Sequence, residues 1–436
     1  MSVLIVAMNG IEVGHLSLQK SGAMSFQYQQ GWLDRPGARA ISLSLPLRKE
    51  AFEGEQVFNF FDNLLPDSDA IRARMQARFS ISSRHPFNLL SAVGRDCIGA
   101  IQLYAEDELQ GNVHQVTSEA LTESDIAMLL RGYQDAPLGM EEGTDFRISL
   151  AGAQEKTALL WHEDKWQRPS GCTPTSHIFK LPIGFLEPRN IDLRQSNHNE
   201  WLCLQILKAF GIQVAAAELA NFEDQNALVV ERFDRRWSRD GSWLMRLPQE
   251  DFCQALGISP ALKYENDGGP GIAAGMQLLR GAQSANQDRE VFFKTQILFW
   301  MLAAIDGHAK NFSVFIDPGS SYRLTPIYDV ISAYPLMAAN SLPASKAKMA
   351  MSVKGKNRHY HWQRIEPRHF INTAKSLRFS ESIAREQLHM AALTTAEVIE
   401  KVENALPRGF PEAIATAIFT GLQGRANVIL DQMGAA

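Results

Sequence analysis

The period of the hydrophobic pattern changes near Pro248, and this change constrains the fold more than any other feature of the chain. Upstream, apolar residues gather in short runs at 3–8, 11–18, 24–28, 41–45, 157–161, 177–181, 216–222 and 227–233. Such runs between polar and glycine-containing segments read as strands. Asn9-Gly10, between the first two, is the dipeptide that best closes a two-residue hairpin. Three helices are expected among these runs: one from about Pro66-Asp67, one over 122–131 behind a Thr122-x-x-Asp125 cap, and one over 199–210 closed by Gly211. Downstream the runs lengthen to 250–257, 271–281, 290–304, 363–377, 381–403 and 411–432. In the third of these, Phe293, Ile297, Trp300, Met301 and Ala304 recur at i, i+4, i+7, i+8 and i+11, one buried helical face. The expected organisation is a mixed region over 1–140, a strand-rich region over 141–250 and a mainly helical region over 251–436.

A chain of 436 residues with 45% hydrophobic and 21% charged residues can build large cores and lacks the composition of disorder. Its formal charge of -5 excludes a protein that coats nucleic acid unaided, which needs a large basic surplus. Cys97, Cys172, Cys203 and Cys253 show neither Cys-x-x-Cys spacing nor a metal-ligand rhythm, and are expected as reduced core residues. The N-terminal segment carries no basic leader, and no stretch approaches the run of about 20 apolar residues that spans a bilayer. A cytoplasmic protein without a membrane partner is expected.

The sharpest chemical signal is the hexapeptide from Asp306 to Asn311, between the end of a helix and an apolar strand at 312–316. Phosphoryl transfer needs a carboxylate to accept the acceptor's hydroxyl proton and an amide oxygen to hold magnesium, and an Asp-x-x-x-x-Asn spacing supplies both. Spacing alone is weak, since roughly one chance match is expected in such a chain at ordinary Asp and Asn frequencies. Asp192 and Asn197 form one, in a polar loop. A merely structural capped loop is the alternative for both.

Asp329 follows a short strand-like Tyr322-Arg-Leu and stands where a second hard-oxygen ligand would complete a magnesium site. Val330-Ile331 replaces the Phe-Gly usual after such an aspartate, and a plain turn is the other reading. Ser149 to Lys156 is rich in small residues that let a backbone approach a polyphosphate. It is not a Walker A motif, because glycine is missing at Ser149 and Glu155 and a strand follows instead of a helix. Lys180 ends an apolar strand, aimed either at a phosphate or outward past the sheet edge. Glu200 is a candidate partner for it or a helix-dipole carboxylate. The strand over 227–233 ends where a hinge would meet an adenine ring.

Together these segments resemble the HipA family of toxin kinases. The resemblance is carried by FNFFDNLLPD (58–67), LLSAVGRDCIGA (89–100), DFRISLAGAQEK (145–156), SHIFKLP (176–182), VERFDRRW (230–237), RLPQED (246–251), KYENDGGPGI (263–272), DGHAKNFSVF (306–315) and RLTPIYD (323–329), in order along most of the chain. It implies an α+β, two-lobed protein-kinase-like fold with an extra N-terminal mixed α/β domain and a mainly helical C-terminal lobe. It implies ATP and magnesium as cofactors, Asp306 as catalytic base, and Asn311 and Asp329 as metal ligands. Nucleotide contacts would fall on Ala151, Gly152, Ala153, Gln154, Glu155, Lys156, Lys180, Glu231, Arg232, Phe233, His308, Ala309, Lys310, Asn311 and Asp329.

The resemblance further implies autophosphorylation at Ser149 as an off switch and glutamyl-tRNA synthetase as protein substrate. The implied partner is a small HipB-like helix-turn-helix antitoxin that carries the toxin to operator DNA. Lys375 and Arg378, three apart on a predicted helix, would share a face toward that DNA, or form a solvated basic face. Two other functions stay open on the residues: a small-molecule phosphotransferase and a catalytically idle co-repressor.

Overall fold

The computed structural model describes residues 2–106, 111–132, 148–152, 154–187 and 190–434. The chain divides into two compact units, one formed by 1–181, 220–261 and 313–322, the other by 182–219, 262–312 and 323–436.

In the first unit, strands Ser2–Met8 and Ile11–Leu18 form the expected hairpin. Asn9 and Gly10 both have positive φ, 48° and 73°, as the tight turn requires. These strands are the centre of an antiparallel sheet ordered Phe52–Glu53, Met24–Tyr28, Ile11–Leu18, Ser2–Met8, Ile101–Ala105. One face, with Leu4, Val6, Val13, Leu16 and Phe26, packs on Phe60 and Phe61 of helix Glu55–Asp62 and Leu89, Leu90 and Val93 of helix Pro86–Val93. The run at 41–45 is not a strand. Tyr28 donates to the Leu45 carbonyl and accepts from the Ile41 amide, pinching it into a turn bridged between Ser42 and Leu45. The helix expected from Pro66-Asp67 starts later, at Asp69, where Ser68 accepts the Ile71 amide as cap.

A second sheet of this unit runs Gln225–Glu231, His177–Lys180, Lys156–His162, Lys165–Pro169, Ser118–Ala120. Thr122 and Asp125 form the expected capping box of helix Glu123–Arg131. That helix sets Ile126, Leu129 and Leu130 against Leu159, Phe179, Ala227 and Val229 on one face of the sheet.

Between the two sheets' strings lies a buried ion network. Asp96 accepts from Arg235 Nη2 at 2.8 Å and Arg246 Nε at 2.9 Å on one oxygen, and from Arg232 Nη1, Thr175 Oγ1 and the Thr175 amide on the other. Asp234 accepts from Arg232 and Arg235 and from the Gly99 amide. All five charged side chains are at most 5% exposed. Burial alone would raise the Asp96 carboxyl, but Arg235, Arg246 and Arg232 outweigh it and hold the carboxyl well below the usual range.

In the second unit, helix Ser196–Ala209 ends at Gly211, whose φ of 83° and amide bond to Lys208 fit the predicted left-handed cap. Helix Ala285–Met301 carries Phe293, Ile297, Trp300 and Met301 of the predicted face but stops short of Ala304; Phe292, Leu298 and Phe299 are buried as well. Helices Pro367–Ser376, Glu381–Glu403 and Glu412–Gly434 follow as expected. The region after Pro248 is not purely helical, however. Strand Gln249–Asp251 pairs with Ser313–Ile316 in the first unit, and Lys348–Lys354 forms a hairpin with Arg358–His361 in the second.

Glu412–Gly434 is long and apolar enough to cross a membrane by length and composition, which corrects the sequence expectation that no stretch is. Ile414, Ile418, Leu422, Ala426 and Ile429 of that helix are nevertheless buried, one face of the helix packed within the protein. The four cysteines are free and buried, as expected.

Candidate functional site

The first unit supplies a cationic sheet face. Lys156 lies directly opposite Lys180 across the antiparallel pair, and Leu228 lies opposite Lys180 on its other side. Because strand residues alternate, these three share the face turned away from helix Glu123–Arg131, with Ala158, Ile178 and Val230 next along it. Like charges directly opposite each other destabilise a sheet. A polyanion on this face would relieve the repulsion.

The segment before Lys156 is tied down. Ser149 is fully buried; its Oγ donates to the Leu64 carbonyl at 2.7 Å, and its amide donates to the Asp96 carbonyl at 3.0 Å. Gly152 has φ of 104°, receives the Asp67 amide on its carbonyl, and has no room for a Cβ beside Lys156 Nζ. Lys156 donates to the Ala151 carbonyl, Gln154 to the Leu181 carbonyl, and Glu155 pairs with Arg74. Ala153 lies outside the described residues, as do Asp145, Phe146 and Arg147.

Just beyond strand Gln225–Glu231, which Ala217–Phe222 flanks on its other side, stands Arg232. Its side chain is wholly buried and spent on Asp96 and Asp234, its amide donates to Ser176 and its carbonyl accepts from Arg235. The guanidinium is thus held inside the ion network. Glu231 is exposed, and Phe233 sets its ring edge-on to Phe315 at 5.8 Å.

The second unit holds the carboxylates. Gly307 lets the loop turn after Ile305, since any Cβ there would run into the Phe299 ring at 2.4 Å. Asp306 is exposed, while His308, Ala309, Lys310 and Asn311 are buried. The His308 amide donates to the Asp306 carbonyl at 2.7 Å and to Asn311 Oδ1 at 3.2 Å. Asn311 Nδ2 donates to Asp329 Oδ2 at 3.1 Å and to the Asp329 carbonyl at 3.2 Å. Asp329 has φ of 59°, a strained conformation for a residue with a Cβ. Tyr328 Oη donates to the Lys310 carbonyl, which ties this turn to the loop. Asp306, Asn311 and Asp329 are thus assembled in one unit from two stretches of chain.

The rival pair behaves differently. Asp192 is exposed and bound twice by Arg194, whose hydrogen bonds lower its carboxyl to about 2; Asn197 is buried in a helix. One contact to Asp306 went unread in the sequence: Tyr264 Oη donates to its Oδ1 at 2.7 Å. Tyr264 belongs to the KYENDGGPGI string, which carried resemblance but no assigned chemistry.

The expected shared helical face of Lys375 and Arg378 is also corrected. The helix ends at Ser376, and Arg378 occupies a left-handed turn with φ of 51°. Its amide donates to Lys375 and the Phe379 amide to Ala374, which closes the helix end. Lys375 lies 3.9 Å from Glu381.

Comparison with solved structures places the class of fold. The HipA chain of the Shewanella oneidensis toxin–antitoxin complex with HipB and operator DNA superposes with a TM-score of 0.82 over 99% of both chains, at 21% identity. The fold is the mixed α/β, kinase-like one of that protein. Family models then fix the relationship: a HipA N-terminal domain matches residues 4–104 and a HipA-like C-terminal domain residues 148–406. The chain belongs to the HipA family. Y4mE of Sinorhizobium fredii, a protein named as a kinase, is 34% identical over 341 residues, 76% of this chain and 78% of the relative. The serine/threonine-protein kinase toxin HipA of Shewanella oneidensis is 27% identical over 332 residues, 73% and 72%.

Proposed function

We propose that this chain is an ATP-dependent serine/threonine protein kinase of the toxin type. The observation that carries the reading is one exposed carboxylate, Asp306, on the same short loop as a buried amide that faces a second carboxylate, Asp329. Phosphoryl transfer needs little covalent chemistry from a protein: it needs positioning, a proton acceptor and charge neutralisation. Asp306 accepts the proton of the acceptor hydroxyl. Lys156 and Lys180 take the phosphates, and Ala158, Ile178 and Val230 offer the apolar surface beside them for the base.

Asn311 and Asp329 fit a magnesium ion. An octahedral ion with ligands at about 2.1 Å sets neighbouring ligands about 3 Å apart, and the Asn311 amide approaches the Asp329 carboxylate at 3.1 Å. Turning the amide over, which gives up the bond from the His308 amide to Oδ1, would bring its oxygen to that place. The bound ion would neutralise charge on the phosphoryl oxygens.

Ser149 serves as the off switch. Its hydroxyl meets no phosphoryl donor while bonded to Leu64, so the segment has to swing out before modification. A phosphoserine carrying about -1.5 to -2 charges would be desolvated in that fully buried seat without a counter-charge, so it stays out. Family membership supports glutamyl-tRNA synthetase as acceptor and a helix-turn-helix antitoxin with operator DNA as partner. Lys375 and Arg378 are the candidate DNA contacts.

The test is incubation of the full chain with labelled ATP, magnesium and a cell extract, followed by peptide mapping. The wild type labels Ser149 and an acceptor serine or threonine. Asp306→Ala loses about 100-fold or more of both, the usual contribution of a positioned base. Full labelling by that variant refutes the mechanism.

A further inference from the structure

We infer that Tyr264 is a positioning residue of the transfer reaction, holding one oxygen of Asp306 so that the other is aimed at the acceptor. The inference rests on the kinase reading and adds to it a residue without assigned chemistry. A carboxylate on an exposed loop turns freely, because the last torsion of an aspartate is broad and two-fold. The Tyr264 hydroxyl, 2.7 Å from Oδ1, removes that freedom and leaves Oδ2 to take a proton.

The tyrosine is itself braced on three sides. Its ring stands edge-on to His308 at 5.0 Å and 85°. The preceding residue, Lys263, accepts the Ala309 amide on its carbonyl, so two adjacent residues grip the Asp306 loop at two points. The following residue, Glu265, accepts the Ser352 amide at 2.6 Å and the Ser352 hydroxyl at 2.9 Å, fastening the segment to strand Lys348–Lys354. The turn beyond is closed by the amides of Asp267 and Gly269 on the Tyr264 carbonyl, and a Cβ on Gly271 would overlap the Glu265 carboxylate. The backbone that carries Tyr264 is therefore fixed on both sides, while His308 and Asp306 hold its ring and hydroxyl.

The same hydroxyl stands at the wall of a cleft of about 250 Å³ whose lining includes Tyr264, Asp267, Asp306, Lys348, Ala350 and Tyr360. The cleft is small enough to seat one side chain of an acceptor. An acceptor serine or threonine there meets Asp306 through the oxygen that Tyr264 leaves open.

The experiment compares wild type with Tyr264→Phe, which keeps the ring on His308 and removes only the hydroxyl. Initial rates of labelled phosphate transfer from magnesium–ATP to extract protein are measured together with the affinity for a non-hydrolysable ATP analogue and the melting temperature. The expected result is a rate at saturating ATP lowered about tenfold, since slight misplacement of a reacting group is costly. KM for ATP, analogue affinity and melting temperature should stay unchanged. Tyr264→Leu, which removes ring and hydroxyl, should lower the rate at least as far and the melting temperature as well. A Tyr264→Phe rate equal to wild type overturns the inference alone, as does a loss of rate matched by a loss of nucleotide affinity or stability. A wild type that transfers no phosphate overturns the kinase reading and this inference with it.

Discussion

Replacing Asp96 by asparagine tests the ion network most directly. The side chain keeps its shape and loses its charge, leaving Arg232, Arg235 and Arg246 with Asp234 as their remaining carboxylate in the network. An amide also presents hydrogens toward guanidinium groups, which are donors only and have no acceptor. Breaking a buried pair by removing one partner costs about 3–5 kcal/mol, most of it the exposure of the other partner to an uncompensated low-dielectric site. At about 2–4 °C per kcal/mol for a unit of this size, the first unfolding transition should fall by roughly 10 °C. The pH dependence has a definite sign. The folded carboxyl is depressed, so its stabilisation is complete above the ordinary carboxylate range and is lost as pH falls toward the lower folded value. Calorimetric scans of wild type and Asp96→Asn at pH 7 and at pH 3 check both points, with the gap narrowing at the lower pH. A variant within 1 kcal/mol of wild type at pH 7 would refute the reasoning, because the arginines would then have found water or new partners.

Two further outcomes follow from other residues. Glu250 is fully buried, with its carboxyl pushed up to about 8 by burial, and accepts the Leu43 amide at 2.8 Å. It stays protonated in the fold while the unfolded chain ionises, so stability declines between pH 5 and 8; Glu250→Gln should remove that decline, a gain on the order of a few kcal/mol at pH 8 in parallel melts. Arg378→Gly should relax the left-handed helix end and stabilise the chain by about 0.5–1 kcal/mol. Where the chain binds operator DNA through an antitoxin with Arg378 on a phosphate, as proposed, the same variant should reduce the salt slope by about one, read from titrations at several salt concentrations.

Much of this architecture was legible because local chemistry and tertiary packing agree. Asn9-Gly10, the Thr122 cap and Gly211 each fix a backbone conformation through their own atoms. The run at 41–45 misled because its apolar residues answer to a tyrosine hydroxyl from another strand, which no local period reveals. Asp306, Asn311 and Asp329 could be singled out because phosphoryl transfer needs particular residue types at particular spacing, and the fold brings these three together in one unit. Tyr264 could not, since its contact joins residues distant in sequence through a turn. Arg232 misled in the opposite direction: it stands in a string that carries family resemblance, yet that string and the one around Asp96 serve the ion network. Charge alone does not tell a ligand contact from a structural one; the partners of the side chain do, and those of Arg232 are Asp96 and Asp234.

The ion network also bears on how the chain can be divided. Asp96 lies in the stretch matched by the N-terminal family model, whereas Thr175 and the arginines lie in the stretch matched by the C-terminal one. Neither stretch produced alone can neutralise what it would bury: one keeps an orphan carboxylate, the other three guanidinium groups with a single carboxylate among them. A gene split between residues 104 and 148 would therefore yield two fragments that fold only by finding each other. The fused chain makes that encounter intramolecular, and its two halves are inherited and expressed as one.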